Sequence, residues 1–136
     1  MKGSRQFRAE LSELESILSF ARVILSKLNN QKKANKFEHV IEEAVINVLH
    51  YAFDGFLPGI LEIEYELANN QATFIIKDNG FAFNPLENPK PLDRESPLEE
   101  REIGGLGIHY ILKMTDAVTY ELKDGWNILT LIQNLS

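Results

Sequence analysis

The chain has 136 residues, 44% of them hydrophobic and 25% charged, which is enough to bury one core of ordinary soluble type. It has no cysteine, so disulfides, thiol catalysis and thiolate metal sites are excluded. A net charge of −6 without clustered Lys and Arg argues against nucleic acid as a partner, and no apolar run or signal-peptide core points to a membrane, so a cytoplasmic protein is expected.

In chain order, a short strand is expected near Phe7. Leu14, Ile17, Leu18, Ala21, Ile24, Leu25 and Leu28 then recur at helical spacing, which predicts a helix over Leu11 to Leu28, with Ser12 and Glu15 as a capping pair. Asn29 to Lys33 reads as a break. A second helix is predicted from Ala34 to Phe53, stopped by Asp54-Gly55 and Leu57-Pro58-Gly59. Ile60 to Leu67, with Leu61, Ile63, Tyr65 and Leu67 alternating onto one face, and Ala72 to Lys77 read as the strands of a hairpin linked by Ala68-Asn69-Asn70-Gln71.

From Ala82 to Ile103 the chain carries four of its five prolines and no useful periodicity. A loop of that length within a domain reads as a functional lid. A glycine-led helix follows, from Gly104 to about Thr115. Val118 to Leu122, the turn Lys123-Asp124-Gly125 and Trp126 to Ile132 make a second hairpin. The expected fold is α+β: one domain over 1–136, a two-layer α/β sandwich with a mostly antiparallel mixed sheet and three helices on one face.

Three short segments carry the chemistry. On a wheel of the second helix, Val40, Ile41, Ala44, Val45, Val48, Leu49 and Ala52 form an apolar arc. Glu43, Asn47, His39 and His50 form a narrow polar stripe, with Ile46 and Phe53 beyond it. A polar stripe with apolar residues on both flanks reads as a pocket wall rather than a solvated face. There Glu43 can take a proton from a hydroxyl or water, and Asn47 offers the neutral oxygen that suits Mg²⁺. His39 and Glu43 are also four apart, but no third ligand for a transition metal is in view.

Asp78 ends a strand, in Asp78-Asn79-Gly80, where a carboxylate can accept from an adenine amino group. Gly80 lets the backbone approach the base. Gly104-Gly105-Leu106-Gly107 opens a helix, and N–H groups at a helix start suit an anion. Neither a P-loop nor GxGxxG is present. Arg94 and Arg101 on the lid are both candidates for a γ-phosphate contact.

In this order the segments resemble the N, G1 and G2 boxes of the GHKL ATPase superfamily, and the chain looks most like the bacterial anti-sigma factor serine kinases. The resemblance rests on Glu43-Ala44-x-x-Asn47 with Tyr51-Ala52-Phe53, on Asp78 to Leu86, and on Ile103-Gly104-Gly105-Leu106-Gly107-Ile108. It implies ATP or ADP with Mg²⁺ as ligands, Glu43 as catalytic base, Asn47 as the magnesium ligand and Asp78 as the adenine contact. Gly80 would shape the base pocket, with Ala82 standing where the superfamily has a second glycine. Gly105, Leu106 and Gly107, led by Gly104, would cradle the phosphates, assisted by Arg101 or Arg94.

Such kinases bind a sigma factor and phosphorylate a serine on an anti-anti-sigma (STAS domain) partner; many are homodimers. The hydroxyl usual on a late strand would fall to Asn127 or Thr130. Two functions compete: a protein serine kinase that also sequesters a regulator, and a nucleotide-gated binding module with little or no phosphotransfer. A histidine kinase fragment is disfavoured, because no helix pair bearing a phospho-acceptor histidine is seen.

Overall fold

The computed structural model describes residues 1–51, 59–86 and 105–135. Strand β1 (Lys2–Arg8) leads through a 3-10 turn (Leu11–Glu13) into helix α1 (Leu14–Leu25), and α2 spans Gln31–Tyr51. Strands β2 (Ile60–Ala68) and β3 (Gln71–Asp78) follow, then α3 (Gly105–Met114), β4 (Ala117–Lys123) and β5 (Trp126–Asn134). The five strands form one sheet in the order β1-β2-β3-β5-β4, and every neighbouring pair is antiparallel. The strand expected near Phe7 is thus a full edge strand.

Local chemistry moved several boundaries. Helix α2 starts earlier than its apolar periodicity suggests, because the Asn30 side-chain oxygen accepts the Lys33 N–H at 3.2 Å and caps the first turn. Gln31 turns its amide back to the Leu25 and Leu28 carbonyls at 3.1 and 2.6 Å, which satisfies the open end of α1. Ser12 does not cap α1. Its hydroxyl donates to the Glu10 carboxylate, and Glu13, already in helical conformation, precedes the helix without a side-chain cap. The β2–β3 turn is tighter than the four-residue link expected. Ala68 pairs with Gln71, and only Asn69 and Asn70 form the turn, both with positive φ (55° and 58°). Asparagine tolerates that left-handed backbone, and Asp124-Gly125 repeats the device between β4 and β5 at φ 53° and 81°.

Alternation along the strands sends Leu61, Ile63, Ala72, Phe74, Ile76, Leu129 and Leu131 to one face, where they are buried. Helix α1 adds Ile17, Ala21 and Ile24 to this core, and α2 adds Phe37, Val40, Ile41, Ala44 and Val45. Phe37 meets Phe74 edge to face at 5.6 Å, and Phe20 bridges Phe7 and Tyr65 in the same manner. Among the described residues, no helix is long and apolar enough to cross a membrane.

Candidate nucleotide site

Contacts at the far end of the sheet show which end of the sandwich the three motif segments share. Asn30, before α2, donates its side-chain amide to the Leu135 carbonyl just beyond β5. Asp116, just after α3, accepts the Asn134 N–H. The start of α2 and the end of α3 therefore lie together where β5 ends and β3 begins, since Gln71 pairs with Asn134. Helix α2 runs away from that end, and α3 runs back toward it. The C-terminal half of α2, the first turn of α3 and the Asp78–Asn127 end of the sheet thus gather at the opposite end. Midway along the two helices, His39 of α2 meets the Tyr110 ring of α3 at 5.4 Å.

On α2, Val40, Ile41, Ala44 and Val48 are buried as the wheel predicts, and along the polar stripe burial increases from exposed His39 through half-buried Glu43 to buried Asn47. Asn47 is only 1% exposed, and neither its side-chain oxygen nor its nitrogen has a hydrogen-bond partner among the described residues. A buried amide with all its hydrogen-bonding capacity unused costs stability, and such groups are rare unless a ligand or ion completes them. Glu43, one turn earlier, is half-buried. Burial raises its carboxyl above the usual range, the neighbouring Glu42 adds to the rise, and His39 offsets part of it. The His39 ring lies tilted by 57° against Tyr110.

At the sheet, Asp78 is 2% exposed and lies on the helix-facing side, in register with Asn127 of β5. Its Oδ1 accepts from the Gly80 N–H at 3.0 Å and from the Asn127 amide at 2.9 Å. Burial pushes its carboxyl pKa up, while those two donors pull it back. Gly80 is therefore part of the Asp78 cradle, and its N–H is in use. The following loop is pinned by the same asparagine: Asn127 donates to the Phe81 carbonyl at 2.8 Å and accepts the Phe83 N–H at 3.1 Å and the Tyr120 hydroxyl. Ala82, at the centre of that loop, is exposed.

Gly105, Leu106 and Gly107 make the first turn of α3. The first N–H groups of a helix have no intrahelical acceptor, and the helix dipole favours negative charge there. Gly104, Arg94 and Arg101, with most of the expected lid, lie outside the described residues.

The two late-strand candidates, Asn127 and Thr130, fall on opposite faces of the sheet. Asn127, Leu129 and Leu131 face the helices; Thr130 faces the other side of the sheet. Asn127 is the site residue least legible in the sequence, and its polar character within an inward-facing series was the available signal.

The fold defines a class: a two-layer α/β sandwich with helices on one face of an antiparallel sheet. Residues 7–133 match the histidine kinase-like ATPase domain, and the chain belongs to that family. It is 30% identical over 90 residues to the serine/threonine-protein kinase BtrW of Bordetella bronchiseptica, covering 66% of this chain and 63% of that protein. It is 29% identical over 93 residues to the serine-protein kinase RsbW of Staphylococcus aureus, covering 65% of this chain and 58% of the relative. Among solved structures, the RsbU and RsbW domains of Mycobacterium tuberculosis Rv1364c superpose with a TM-score of 0.69 at 13% identity, over 99% of this chain and 32% of the other. A histidine kinase domain from Erythrobacter litoralis superposes at 0.53 with 15% identity, over 91% and 60% of the two chains. At those identities the structural likenesses speak for the fold. The curated relatives are matched over somewhat less than two thirds of their own length.

Proposed function

We propose that this chain is an ATP-dependent protein serine kinase of the anti-sigma type. It binds ATP with Mg²⁺, sequesters a sigma factor and transfers the γ-phosphoryl group to a serine on a small STAS-domain partner, all in the cytoplasm. The observation that carries the reading is Asn47. An amide 1% exposed and unpartnered, one helical turn from a carboxylate, fits an ion-and-phosphate site and has no evident use in a core.

Each group has a role in that chemistry. Asp78 accepts the adenine amino group, and Gly80 closes the cradle around it. Ala82, in the superfamily's second-glycine position, keeps side-chain bulk away from the base. The N–H groups of Gly105, Leu106 and Gly107 receive phosphate oxygens, with Gly104 ahead of them and Arg101 or Arg94 contributing positive charge. Asn47 Oδ1 would hold Mg²⁺, which when bound supplies charge neutralisation across the phosphates. Glu43 removes the serine proton as the serine oxygen attacks phosphorus, ADP departs, and the proton leaves through the exposed side of the carboxylate. A carboxylate raised by burial is a stronger base than a solvated one.

The relatives are a serine- and a serine/threonine-protein kinase, which supports the reaction class. Single-turnover transfer from γ-labelled ATP to candidate STAS partners tests it. Transfer that Glu43→Ala abolishes, with nucleotide affinity retained, is the expected result. Nucleotide binding with no transfer to any partner would instead make the chain a nucleotide-gated binding module.

A further inference from the structure

We infer that Asn127 is the residue that sets base selectivity, a positioning group that holds Asp78 as a pure hydrogen-bond acceptor and so selects a 6-amino purine over a 6-oxo purine. The inference rests on the nucleotide reading above and adds to it a residue and a rule of discrimination.

Asn127 is 3% exposed and makes four hydrogen bonds. Its nitrogen donates to Asp78 Oδ1 and the Phe81 carbonyl; its oxygen accepts from the Phe83 N–H and the Tyr120 hydroxyl. Two donors and two acceptors are the full capacity of a carboxamide. The orientation of the amide is consequently forced. The Phe83 N–H and the Phe81 carbonyl can be satisfied only with oxygen toward the first and nitrogen toward the second, and a flipped amide would set donor against donor and acceptor against acceptor. With the amide locked, Asp78 Oδ1 always meets an N–H.

Gly80 N–H adds a second donor to the same oxygen. Both bonds favour the carboxylate over the carboxylic acid. A carboxylate can only accept. It pairs with an exocyclic amino group and repels the oxygen of a 6-oxo purine. Were Asp78 protonated, its hydroxyl could donate to that oxygen and the preference would weaken. Among the described residues, the influences on Asp78 ionisation are its burial, Asn127 and Gly80, with the Tyr120 hydroxyl one bond further out on Asn127.

Two substitutions have opposite pH signatures, which a merely structural role would not produce. Asn127→Leu keeps the branched shape and removes the donor to Asp78. Its affinity for ADP should fall as the pH is lowered, starting at a higher pH than in the wild type. Asn127→Asp keeps an oxygen for Phe83 and Tyr120 but sets a second carboxylate against Asp78. Its affinity for ADP should fall as the pH rises, because the proton shared by the pair in acid is lost.

The experiment is calorimetric titration of the intact chain with ADP and with inosine 5′-diphosphate from pH 5 to 9, with circular dichroism to confirm folding. In Asn127→Leu the preference for ADP should drop about tenfold or more, the effect of a lost hydrogen bond to a charged group. If Asn127→Leu does not fold, the inverted pH dependence of Asn127→Asp carries the test. Wild-type preference at every pH in the folded variants would overturn the role of Asn127. A wild type that binds neither nucleotide would overturn the parent reading, and this inference with it.

Discussion

The Phe37 ring stands edge to face on Phe74 at 5.6 Å, and this one contact brings α2 and β3 to a common origin. From it, Asn47 lies ten residues on along a helix, about 15 Å at 1.5 Å per residue. Asp78 lies four residues on along a strand, about 13 Å at 3.3 Å per residue. Because both elements run toward the same end of the sandwich, the amide and the carboxylate arrive at nearly equal height. Replacing Phe37 should therefore disturb both fold and site. Phe37→Ala is expected to destabilise the chain by about 3–5 kcal/mol, read by urea denaturation, and to weaken ADP binding although it touches no motif.

Asn47 should show a conflict between stability and function. Both polar atoms of its amide are buried without partners among the described residues, and removing them relieves a desolvation cost of roughly 1–3 kcal/mol. Asn47→Leu is expected to unfold at a higher temperature than the ligand-free wild type and to lose the magnesium-dependent part of its ATP affinity. Differential scanning calorimetry and titrations with and without Mg²⁺ check the two halves. A variant less stable than wild type by more than about 1 kcal/mol would count against an unmet amide at this position.

The sign of the Asp78 effect can be worked out from its environment. Burial raises its folded-state pKa above the unfolded value, so the folded state favours the protonated form. The stability this gives is complete below the unfolded pKa and is lost as pH rises through the folded one. At neutral pH the ionised carboxylate is therefore a burden on the fold. Asp78→Asn should match or exceed wild-type stability at pH 7, and the gap should close in acid. Its affinity for ADP should fall by about tenfold or more at neutral pH, and the deficit should narrow as acid protonates Asp78 in the wild type. Thermal melts across a pH series, beside calorimetry, measure both.

Phosphate transfer should require ionised Glu43. Its pKa is raised, first by burial and then by Glu42, so activity should decline in acid at a higher pH than for a solvated glutamate. His39 opposes the rise. His39→Leu is expected to move that acid limb upward, whereas Glu42→Gln should move it downward, with ADP affinity little changed in both. Single-turnover rates between pH 5 and 8 are the measurement, and an acid limb unmoved by either change would remove Glu43 as the base.

Much of the fold was legible because the signals are local. Apolar spacing placed α1 and α2, alternation placed β2, and the Asp124-Gly125 turn, readable from its residue types, placed the last hairpin. Boundaries were less legible, since they depend on single side-chain bonds. Asn30 caps α2 and extends it beyond its apolar pattern, while Ser12, which has the right chemistry, spends its hydroxyl on Glu10 instead. Glu43 and Asn47 were readable as a pair because four residues on a helix always share a face.

What the sequence determined by itself was the content of each segment: an acid one turn from an amide, a carboxylate closing a strand, glycines opening a helix. Those relations are set within a few bonds by helix and strand geometry. The tertiary structure decided which segments meet. Asn127 bonds Asp78 across 49 positions of chain, and it does so because β5 lies beside β3 in a register that turns Asn127 inward and Thr130 outward. Strand register is settled by burying every inward side chain of the sheet together, and a shift of one residue would reverse them all. No stretch of sequence near Asp78 contains that information.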